Sequence, residues 1–426
     1  MPESTPEFEQ EEHKPVVVTR EAIGQRSETV RRANLSTIVR ELHLRGPLSR
    51  SDLVRSTGLT RGAIRGLIGE LAESGLVREE RSTPVGTPGR PSPLVRPRHD
   101  RATVLALDIA VDSIGAALVG LGGQVIDHVR VDRARGHLAA KRIATDLTRL
   151  ALPLIRNHGA RDSLIGIGVA MVGVVRPSDG LVRLAPNLGW QEVPLGELLA
   201  QRLKLGLPVM VANEADLGAL AEHRRGVAMG IDDLLYVSGE VGVGGGLIVD
   251  GQPLIGAAGY AGEVGHMPVN PAGATCRCGS VGCWETEVGE RALLRRAGRP
   301  ASSGRTAVDE VIASAEAGSA RALAALSETG EWLGIGLAGL VNLFNPTLVV
   351  LGGVFGRMAP FVAVEVEEAL DRRALRAARD VVRVVPAALR GEATLIGASE
   401  AAFEPFLVDP AVWLSPRARP LRLASA

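Results

Sequence analysis

The sequence predicts an α/β protein in which an N-terminal winged helix-turn-helix domain precedes a larger domain made of two similar halves. Three observations lead to this prediction. Apolar residues recur at helical spacing in three short segments between residues 30 and 73, and a tight turn joins the second to the third. Residues 83–100 are rich in Pro, Gly and Arg, as expected for a wing tip and a linker. Beyond them, apolar runs alternate with amphipathic segments, and this order begins twice, near residues 103 and 233.

Composition and periodicity divide the 426 residues into successive segments. We expect a disordered acidic tail at 1–25, the winged helix-turn-helix domain at 26–82 and the wing tip with its linker at 83–100. The two-lobed domain is expected at 101–408 and a C-terminal tail at 409–426. In the two-lobed domain, strands are expected at 103–109, 114–119, 164–170, 208–212, 234–238, 245–249 and 347–351. Helices are expected at 137–157, 195–204, 214–225, 306–316, 320–343, 360–377 and 394–406.

Charge is unevenly distributed along a chain whose formal net charge is zero. Residues 1–19 carry five Glu against one Lys, whereas residues 20–98 carry 15 Arg against 8 Asp or Glu. A basic first domain beside a mildly acidic remainder predicts a polyanionic partner for the first domain. No segment reaches the ~20 apolar residues of a membrane span, and the start of the chain lacks the features of a secretory signal. We therefore expect a cytoplasmic protein without a membrane partner.

The first domain has the features of a DNA-binding domain. Ser49 and Asp52 form a capping-box sequence at the start of the second helix, and Thr60 is placed to cap the third. In helix-turn-helix proteins the recognition helix enters the major groove, so its first residues meet base edges. The predicted DNA-contacting residues are Arg50, Thr60, Arg61, Gly62, Arg65 and Arg90. The alternative is a basic helical domain with solvated arginines, but the wing, the charge asymmetry and the capping box together favour DNA.

The arginines of this set have different predicted roles. Arg61 and Arg65 lie one helical turn apart, and an Arg that binds guanine bidentately contributes roughly 1–3 kcal/mol of discrimination. Arg90, in an extended wing, is expected to enter a narrow minor groove. The predicted phosphate contacts are Arg31, Arg32 and Arg50.

Three glycines in the third helix, Gly62, Gly66 and Gly69, oppose its formation. Each costs roughly 1 kcal/mol relative to Ala in a helix interior. Two explanations are compatible with the sequence: the helix depends on docking against the rest of the protein, or its backbone approaches DNA closely.

All three cysteines of the chain lie in one Gly-rich loop, residues 263–285. Together with a histidine in the same loop they supply three thiolates and one imidazole. This set matches a closed tetrahedral structural zinc site, which leaves no open position for hydrolysis. The alternative is a loop that merely contains three Cys, but such clustering in a cytosolic chain favours a metal over disulfides. The predicted zinc ligands are His266, Cys276, Cys278 and Cys283.

Polar residues that suit sugar hydroxyls lie in and around the same loop. Glu263 and Glu285 bracket it, and a carboxylate on a rigid support can bind two vicinal hydroxyls. Asn187 lies in a Pro-Asn-Leu-Gly-Trp turn, while Asn213 and Glu214 follow a predicted strand. Taken singly, residues of these types are more often helix caps or solvated surface groups.

Together these motifs resemble the ROK family of repressors, open reading frames and sugar kinases, in particular its winged-helix regulators such as the xylose, glucose and N-acetylglucosamine repressors. The resemblance covers residues 30–405 and rests on the runs 186–190, 242–246, 263–266 and 276–285. It implies an actin-like, hexokinase-type fold of two lobes with a sugar in the cleft. The sugar contacts it implies are Asn187, Asn213, Glu214, Glu263, His266 and Glu285. His266 would then bind zinc through its other ring nitrogen.

The nucleotide-binding motifs of the family's kinases are altered in this chain. Those kinases carry Asp-x-Gly-Gly-Thr-Lys after the first strand, where this chain has neither glycine and has an acid at Asp112. In the second phosphate loop, Glu240 and Val241 replace Gly and Thr. The family's catalytic Asp is Glu214 here, and displacing a base by about 1 Å costs on the order of 100-fold in rate. We therefore assign no catalytic residue and expect no ATP cofactor.

These features predict a DNA-binding transcriptional regulator, a repressor of carbohydrate-metabolism genes, whose second domain binds a sugar or sugar derivative as effector without acting as a kinase. By the resemblance it is a homodimer or homotetramer that reads a roughly palindromic operator. Sugar binding would close the lobes and change the spacing of the winged helices. The alternatives are a bifunctional or genuine ATP-dependent sugar kinase and a scaffold with vestigial modules. A protein partner is the alternative to a sugar as the signal.

Overall fold

The computed structural model describes residues 27–80, 92–302 and 304–414. The predicted acidic tail, the predicted minor-groove residue Arg90 and the end of the predicted C-terminal tail lie outside the described residues. Within those three ranges, no helix has both the length and the apolarity that a membrane crossing requires.

The first domain is a winged helix-turn-helix. Its elements are α1 (Ser27–Arg45), β1 (Leu48–Ser49), α2 (Arg50–Thr57), α3 (Arg61–Glu73), β2 (Val77–Glu80) and β3 (Leu94–Pro97). The strands form an antiparallel sheet in the order β1–β3–β2. The predicted capping box is confirmed, since the Ser49 hydroxyl accepts from the Asp52 N–H at 3.1 Å and the reverse bond is also made. Thr60 caps α3 by accepting from the Ala63 N–H at 3.2 Å.

Strand β3 lies inside the segment predicted as wing tip and linker, residues 83–100. It pairs with both other strands of the wing, and Val95 near its centre is completely buried. A strand of four residues that ends in proline gives almost no alternation of polar and apolar residues, so composition alone assigns it to the linker. The winged helix therefore extends to Pro97, close to the first strand of the next domain.

The first lobe of the second domain is built on a five-stranded sheet. Its elements are β4 (Thr103–Ile109), β5 (Ser113–Gly120), β6 (Gln124–Asp132), α4 (Ala140–Asn157), β7 (Leu164–Met171), β8 (Val174–Arg176), β9 (Leu181–Ala185), β10 (Trp190–Pro194), α5 (Leu195–Leu203), β11 (Val209–Asn213) and α6 (Glu214–Arg225). The large sheet has the order β11–β7–β4–β5–β6, with β4, β5 and β6 antiparallel and β7 and β11 parallel to β4. Strands β8, β9 and β10 form a small antiparallel sheet beside it.

The second lobe repeats this arrangement. Its elements are β12 (Leu234–Gly239), β13 (Val243–Val249), β14 (Gln252–Pro253), α7 (Trp284–Val288), α8 (Glu290–Arg296), α9 (Gly304–Glu316), α10 (Ala320–Phe344), β15 (Leu348–Gly352), α11 (Gly353–Arg373), α12 (Arg376–Arg379) and β16 (Arg383–Pro386). The sheet order β14–β13–β12–β15–β16 again joins three antiparallel strands to two parallel ones. The predicted two-halved α/β domain is thereby confirmed.

The chain returns from the second lobe to the first through α13 (Ala393–Val408), which is followed by α14 (Ala411–Leu414) inside the predicted C-terminal tail. Helix α13 covers one face of the first-lobe sheet, and α4 covers the other. Central strands are therefore buried on both faces, and successive residues of β4 such as Val104 and Leu105 enter different cores. Because α1 packs against α13, the core of the winged helix is continuous with that of the first lobe.

Candidate functional site

The two lobes meet at a cleft that contains a cavity of about 170 Å³. Its walls come from the small sheet of the first lobe, the start of α6, the start of α7 and residues 263–285, which we call the metal loop. All the predicted sugar-binding residues line this cavity: Asn187, Asn213, Glu214, Glu263, His266 and Glu285. Residues that are far apart in the sequence are thus brought to one place.

Asn187 lies in the tight turn between β9 and β10. The turn is anchored by Trp190, which is buried and donates its ring N–H to the Leu138 carbonyl at 2.6 Å. Gly189 has a φ of +70°, a conformation that residues with a Cβ rarely adopt. Arg277 of the metal loop reaches across the cleft and donates to Asn187 Oδ1. The Asn187 side chain is therefore held in place from both lobes.

Asn213 ends β11 and caps α6. Its Oδ1 accepts from the Ala215 N–H at 2.7 Å, and its amide donates to the Gly173 carbonyl at 2.9 Å. The side chain is thus a helix cap that also lines the cavity. Burial, together with nearby carboxylates including Glu240, raises the pKa of Glu214 to about 8. At neutral pH this carboxyl can therefore donate as well as accept a hydrogen bond.

The carboxylates of Glu285 and Glu263 lie at the entrance of the metal loop. Glu285 accepts from the Val243 N–H at 3.2 Å, and a Cβ at Gly242 would overlap its carboxylate, so the glycine permits this contact. Burial raises the pKa of Glu263, and the Glu285 charge adds to this effect, whereas His266 opposes it. Paired acceptors of this kind suit the hydroxyl donors of a sugar.

The four predicted metal ligands converge in the metal loop. His266, Cys276, Cys278 and Cys283 each offer one donor atom, and these atoms all lie within 4.8 Å of one another. Cys276 Sγ is 3.7 Å from His266 Nδ1. The Sγ atoms of Cys278 and Cys283 are also 3.7 Å apart. Because a tetrahedral site with Zn–S bonds of ~2.3 Å separates its sulfur atoms by about 3.8 Å, the donor set and its spacing fit such a cation.

Local backbone contacts fold the metal loop into this shape. Two isolated antiparallel bridges, one of them between Pro268 and Cys283, bring its ends together. Gly282 has a φ of +69°, and a Cβ there would collide with the Asn270 carbonyl. Burial and the neighbouring thiols raise the pKa of Cys283, and a cation bound among the thiols would oppose this shift by favouring the thiolate.

The His266 ring faces both the metal cluster and the cavity. Its Nδ1 points to Cys276, while its Nε2 lies 4.0 Å from a Glu263 oxygen. The ring therefore has the orientation needed to bind a cation through one nitrogen and to present the other to a ligand.

Ion pairs fill the region that corresponds to the phosphate loops of a kinase. Arg305 lies 3.1 Å from Glu240 and 3.5 Å from Asp112. Arg135 lies 3.0 Å from Asp112 and 2.5 Å from Glu290. Asp112 and Arg135 belong to the first lobe and the other three residues to the second, so the Arg305–Asp112 and Arg135–Glu290 pairs bridge the cleft. The acids that replace the family's small residues are thus bound to the protein's own arginines.

Asp108 is a further carboxylate beside this region. Burial raises its pKa to about 6, and its Oδ1 has no hydrogen-bond partner within the described part of the chain. A buried acceptor without a donor is costly, and Asp108 lines the cavity. Because this oxygen is inaccessible, a ligand in the cavity would reach it only after a local rearrangement.

Sequence reasoning did not identify the cleft arginines Arg135, Arg277 and Arg305. Arginine is abundant throughout the chain, so none of the three stands out by composition. The one available signal is the position of Arg277 between two predicted metal ligands, which places it at the cleft whenever the loop forms.

A second and larger cavity, of about 960 Å³, adjoins the first. It begins at Glu240 and Arg305 and continues between α9, α11 and β16, where most of its lining is apolar. The second lobe thus retains a cavity beside the altered phosphate loops.

The predicted DNA-contacting residues at the start of α3 lie on its exposed face. Thr60, Arg61, Gly62 and Arg65 are all exposed, whereas the opposite face is buried in the domain core. Among residues 27–80, 92–302 and 304–414, neither Arg61 nor Arg65 forms an ion pair. Both guanidinium groups are therefore free to meet an external acceptor.

The glycines of α3 are not required by packing inside the protein. A Cβ at Gly66 or Gly69 would meet no atom within 4 Å, and one at Gly62 would meet only the Thr60 hydroxyl at 3.9 Å. Ala would fit each position and would favour the helix, so contacts inside the protein do not explain why these residues are glycines. A close approach of the α3 backbone to an external partner remains consistent with the glycines.

The predicted phosphate contacts are already engaged in ion pairs. Arg50 lies 2.5 Å from Glu79, Arg31 binds Glu28 and Glu70, and Arg32 binds Asp409 at the start of the predicted tail. For these arginines a phosphate contact would require exchange of an existing partner.

Comparison with known proteins identifies relatives that share this architecture. The sequence model of the ROK family matches residues 104–404. The xylose repressor of Caldicellulosiruptor bescii is 32% identical over 367 residues, which cover 82% of this chain and 90% of that protein. A glucokinase of Streptomyces coelicolor is 30% identical over 309 residues, which cover 67% of this chain and 97% of the glucokinase.

The solved structures include one that matches the winged helix as well as the two lobes. The crystal structure of a ROK family transcriptional regulator, a homologue of the Escherichia coli Mlc protein, superposes with a TM-score of 0.72 at 25% identity. The match covers 90% of this chain and 97% of that structure. The family match spans more than half of the chain, and the repressor similarity extends across both domains. This chain is therefore a member of the ROK family, with the fold of its winged-helix regulators.

Proposed function

We propose that the protein is a DNA-binding transcriptional repressor of carbohydrate-metabolism genes, controlled by a sugar bound in the cleft between its lobes. This proposal rests on the contrast between the two parts of the cleft, the predicted sugar site and the phosphate region. The predicted sugar contacts surround one cavity, whereas internal ion pairs occupy the phosphate region. Xylose repressors and an Mlc-like regulator are among its relatives, which supports the repressor function.

The effector is a neutral monosaccharide or a derivative of similar size. The cavity of about 170 Å³ is smaller than the ~300–1,000 Å³ typical of drug-sized ligand sites. Its carboxylates accept hydrogen bonds from hydroxyls, which are the donors that a neutral sugar offers. A structural zinc in the metal loop would hold His266 and Glu285 in position, because its ligands lie in the same loop and immediately before α7.

The regulator acts on double-stranded DNA in the cytoplasm, as a homodimer or homotetramer. A two-fold symmetric assembly presents two α3 helices, which suits a roughly palindromic operator with half-sites one or more helical turns apart. The exposed arginines of α3 supply the contacts to base edges.

A mobility shift on the DNA upstream of the protein's own gene tests this proposal. The zinc-loaded protein is titrated at fixed salt, since phosphate contacts make affinity salt-dependent. A panel of sugars that includes xylose and glucose is then added at saturation. We expect a specific complex that one sugar releases. Affinity that is unchanged across the whole panel would contradict control by sugar and favour a protein signal.

We expect Arg61→Ala to weaken operator binding by roughly 5- to 150-fold, because a lost bidentate guanine contact costs ~1–3 kcal/mol. Binding to unrelated DNA of the same length should change much less. Fluorescence anisotropy on both duplexes measures the two affinities. The control is Arg372→Gln, which removes an exposed ion pair on α11, far from α3 in the fold. Equal losses on both duplexes would mean that Arg61 contacts phosphate and not a base.

The second candidate is an ATP-dependent sugar kinase, which the 960 Å³ cavity and the similarity to a glucokinase favour. We expect no ADP release above the rate without sugar, because Arg305 and Arg135 already hold the acids of the phosphate region in internal ion pairs. A coupled ADP assay with xylose and with glucose measures this. Sugar-dependent ADP release that Glu214→Gln abolishes would establish the kinase.

A further inference from the structure

Helix α6 connects the cleft directly to the winged helix. Its first turn carries Asn213 as cap and Glu214, both of which line the cavity. Its last turn carries Arg224 and Arg225, which contact the interface with α1. Twelve helical residues span about 18 Å, so one rigid element joins the two places.

Helix α13 runs beside α6 and makes the same connection. Ala393 and Thr394, in its first turn, line the cavity, whereas Glu400 and Glu404 lie further along and face the winged helix. The two helices pack closely, since a Cβ at Gly397 would collide with a backbone carbonyl of α6. A displacement of one helix is therefore transmitted to the other.

Arg225 is the central residue of the contact with the winged helix. Its Nη1 donates to the His43 carbonyl at 2.8 Å, at the end of α1, and to the Gly122 carbonyl at 3.2 Å. Its Nε donates to Glu400 at 2.7 Å. One guanidinium thus joins α6, α13, the winged helix and the β5–β6 turn.

His43 and Glu400 form the buried part of the same contact, and both are completely inaccessible. His43 Nδ1 accepts from the Gly122 N–H at 3.1 Å, so the ring proton lies on Nε2, which donates to Glu400 at 3.1 Å. Although burial alone would raise it, the pKa of Glu400 is lowered to about 2 by His43 and by the guanidinium groups of Arg225 and Arg224. Glu400 is therefore a buried carboxylate with a complete set of partners.

Glu404 extends this network toward the surface. It lies 2.6 Å from Arg40 on α1 and 2.7 Å from Arg224 on α6. The resulting interdomain cluster consists of Arg40, His43, Arg224, Arg225, Glu400 and Glu404. Removing one partner from a buried ion pair costs several kcal/mol, so such a cluster fixes one relative position of its helices.

We propose that α6 and α13 transmit sugar binding to the winged helix, and that the interdomain cluster is the joint through which they act. This inference rests on the proposed function, since it requires a sugar that changes DNA affinity. A ligand that draws Asn213 and Glu214 toward the metal loop shifts α6 along its length. The directional bonds of Arg225 then carry that shift to the end of α1, and so to the orientation of α3.

The test compares DNA affinity with and without saturating xylose, and in parallel with glucose, for the full-length wild type and for Arg225→Gln. The quantity compared is the ratio of DNA affinity without sugar to DNA affinity with sugar. Allosteric coupling typically changes affinity by about 5- to 150-fold, and we expect a ratio in this range for the wild type. Arg225→Gln should bind the sugar within about twofold of wild type by calorimetry, yet its DNA affinity ratio should approach ~1. Arg372→Gln, which removes an exposed pair on α11, should keep the wild-type ratio.

A second variant separates coupling from loss of fold. Arg40→Gln changes the same cluster at a side chain that is 32% exposed, and it should reduce the ratio in a protein that unfolds close to the wild-type temperature. Hydrogen exchange of α1 should respond to the sugar in the wild type and much less in either variant. If both variants keep the wild-type ratio of DNA affinities, the interdomain cluster is not the joint, while the proposed function stands. A wild type that shows no sugar response would overturn the proposed function and the joint with it.

Discussion

Cys283→Ala is expected to abolish metal binding and to disorder the metal loop. Cys283 is completely buried, and it is followed directly by α7, which carries Glu285 into the cleft. Loss of one thiolate leaves three ligands and an open coordination position in a site built for four, so we expect the metal content to fall from about one ion per chain to below ~0.1. The unfolding temperature should fall by about 10 °C or more, because structural zinc contributes several kcal/mol.

Elemental analysis and thermal unfolding of the same samples measure both effects. Ser280→Ala is the matched control, since Ser280 is exposed in the same loop and contributes no side-chain ligand. Chelation of the wild type should reproduce the variant's unfolding temperature. Should purified wild type contain no metal, and chelation leave its unfolding unchanged, the cysteines would be a thiol cluster without a structural cation.

The metal variant also tests the role of His266. If the cation fixes the ring through Nδ1, removal of Cys283 should weaken sugar binding even though Cys283 does not line the cavity. Unchanged sugar affinity in a metal-free protein would show that His266 does not depend on the metal for its orientation.

The sequence predicted those elements of the fold whose own residues show a clear apolar pattern. Strand β4 was recognisable because residues such as Leu105 and Leu107 are apolar and buried. Strand β6 was not predicted, because most of its residues are exposed and its position depends on pairing with β5. Val129 and Val131 alternate with polar residues, but so short a run does not identify a strand without its neighbour.

The same distinction applies to the site. The His and Cys cluster was predictable because all four residues lie in one loop, whose short-range spacing limits how they can converge. The contact of Arg277 with Asn187 joins residues 90 positions apart, and that of Arg305 with Asp112 crosses the cleft between lobes. Such pairs depend on tertiary geometry that a single sequence does not encode in any local pattern.

Asn213 illustrates why residue type alone left two interpretations open. As the first residue before a helix, an Asn is most simply a cap, and its Oδ1 does accept from the Ala215 N–H. Only the tertiary structure places the same side chain on the cavity wall. A cap that also faces the cavity ties the start of α6 to the site, which is the starting point for coupling to the winged helix.

Glu263→Ala is expected to reduce sugar affinity by about 100-fold, since a carboxylate that accepts two hydroxyls contributes roughly 3 kcal/mol. DNA binding without sugar should be unchanged, because Glu263 lies in the second lobe at the cavity and makes no contact with the winged helix within the described residues. Calorimetry with xylose and with glucose measures the first affinity, and anisotropy on the operator measures the second.

The combination of these two results is what identifies Glu263 as a sugar ligand. Glu310→Ala, which removes an exposed acid on α9, should change neither affinity. Glu263→Gln keeps the shape of the side chain and one acceptor oxygen, so it should lie between the wild type and Glu263→Ala. If Glu263→Ala binds sugar as tightly as the wild type, the sugar lies elsewhere than the cavity between the lobes. If it loses DNA affinity as well, the residue supports the fold, and the separation of sensing from DNA binding is wrong.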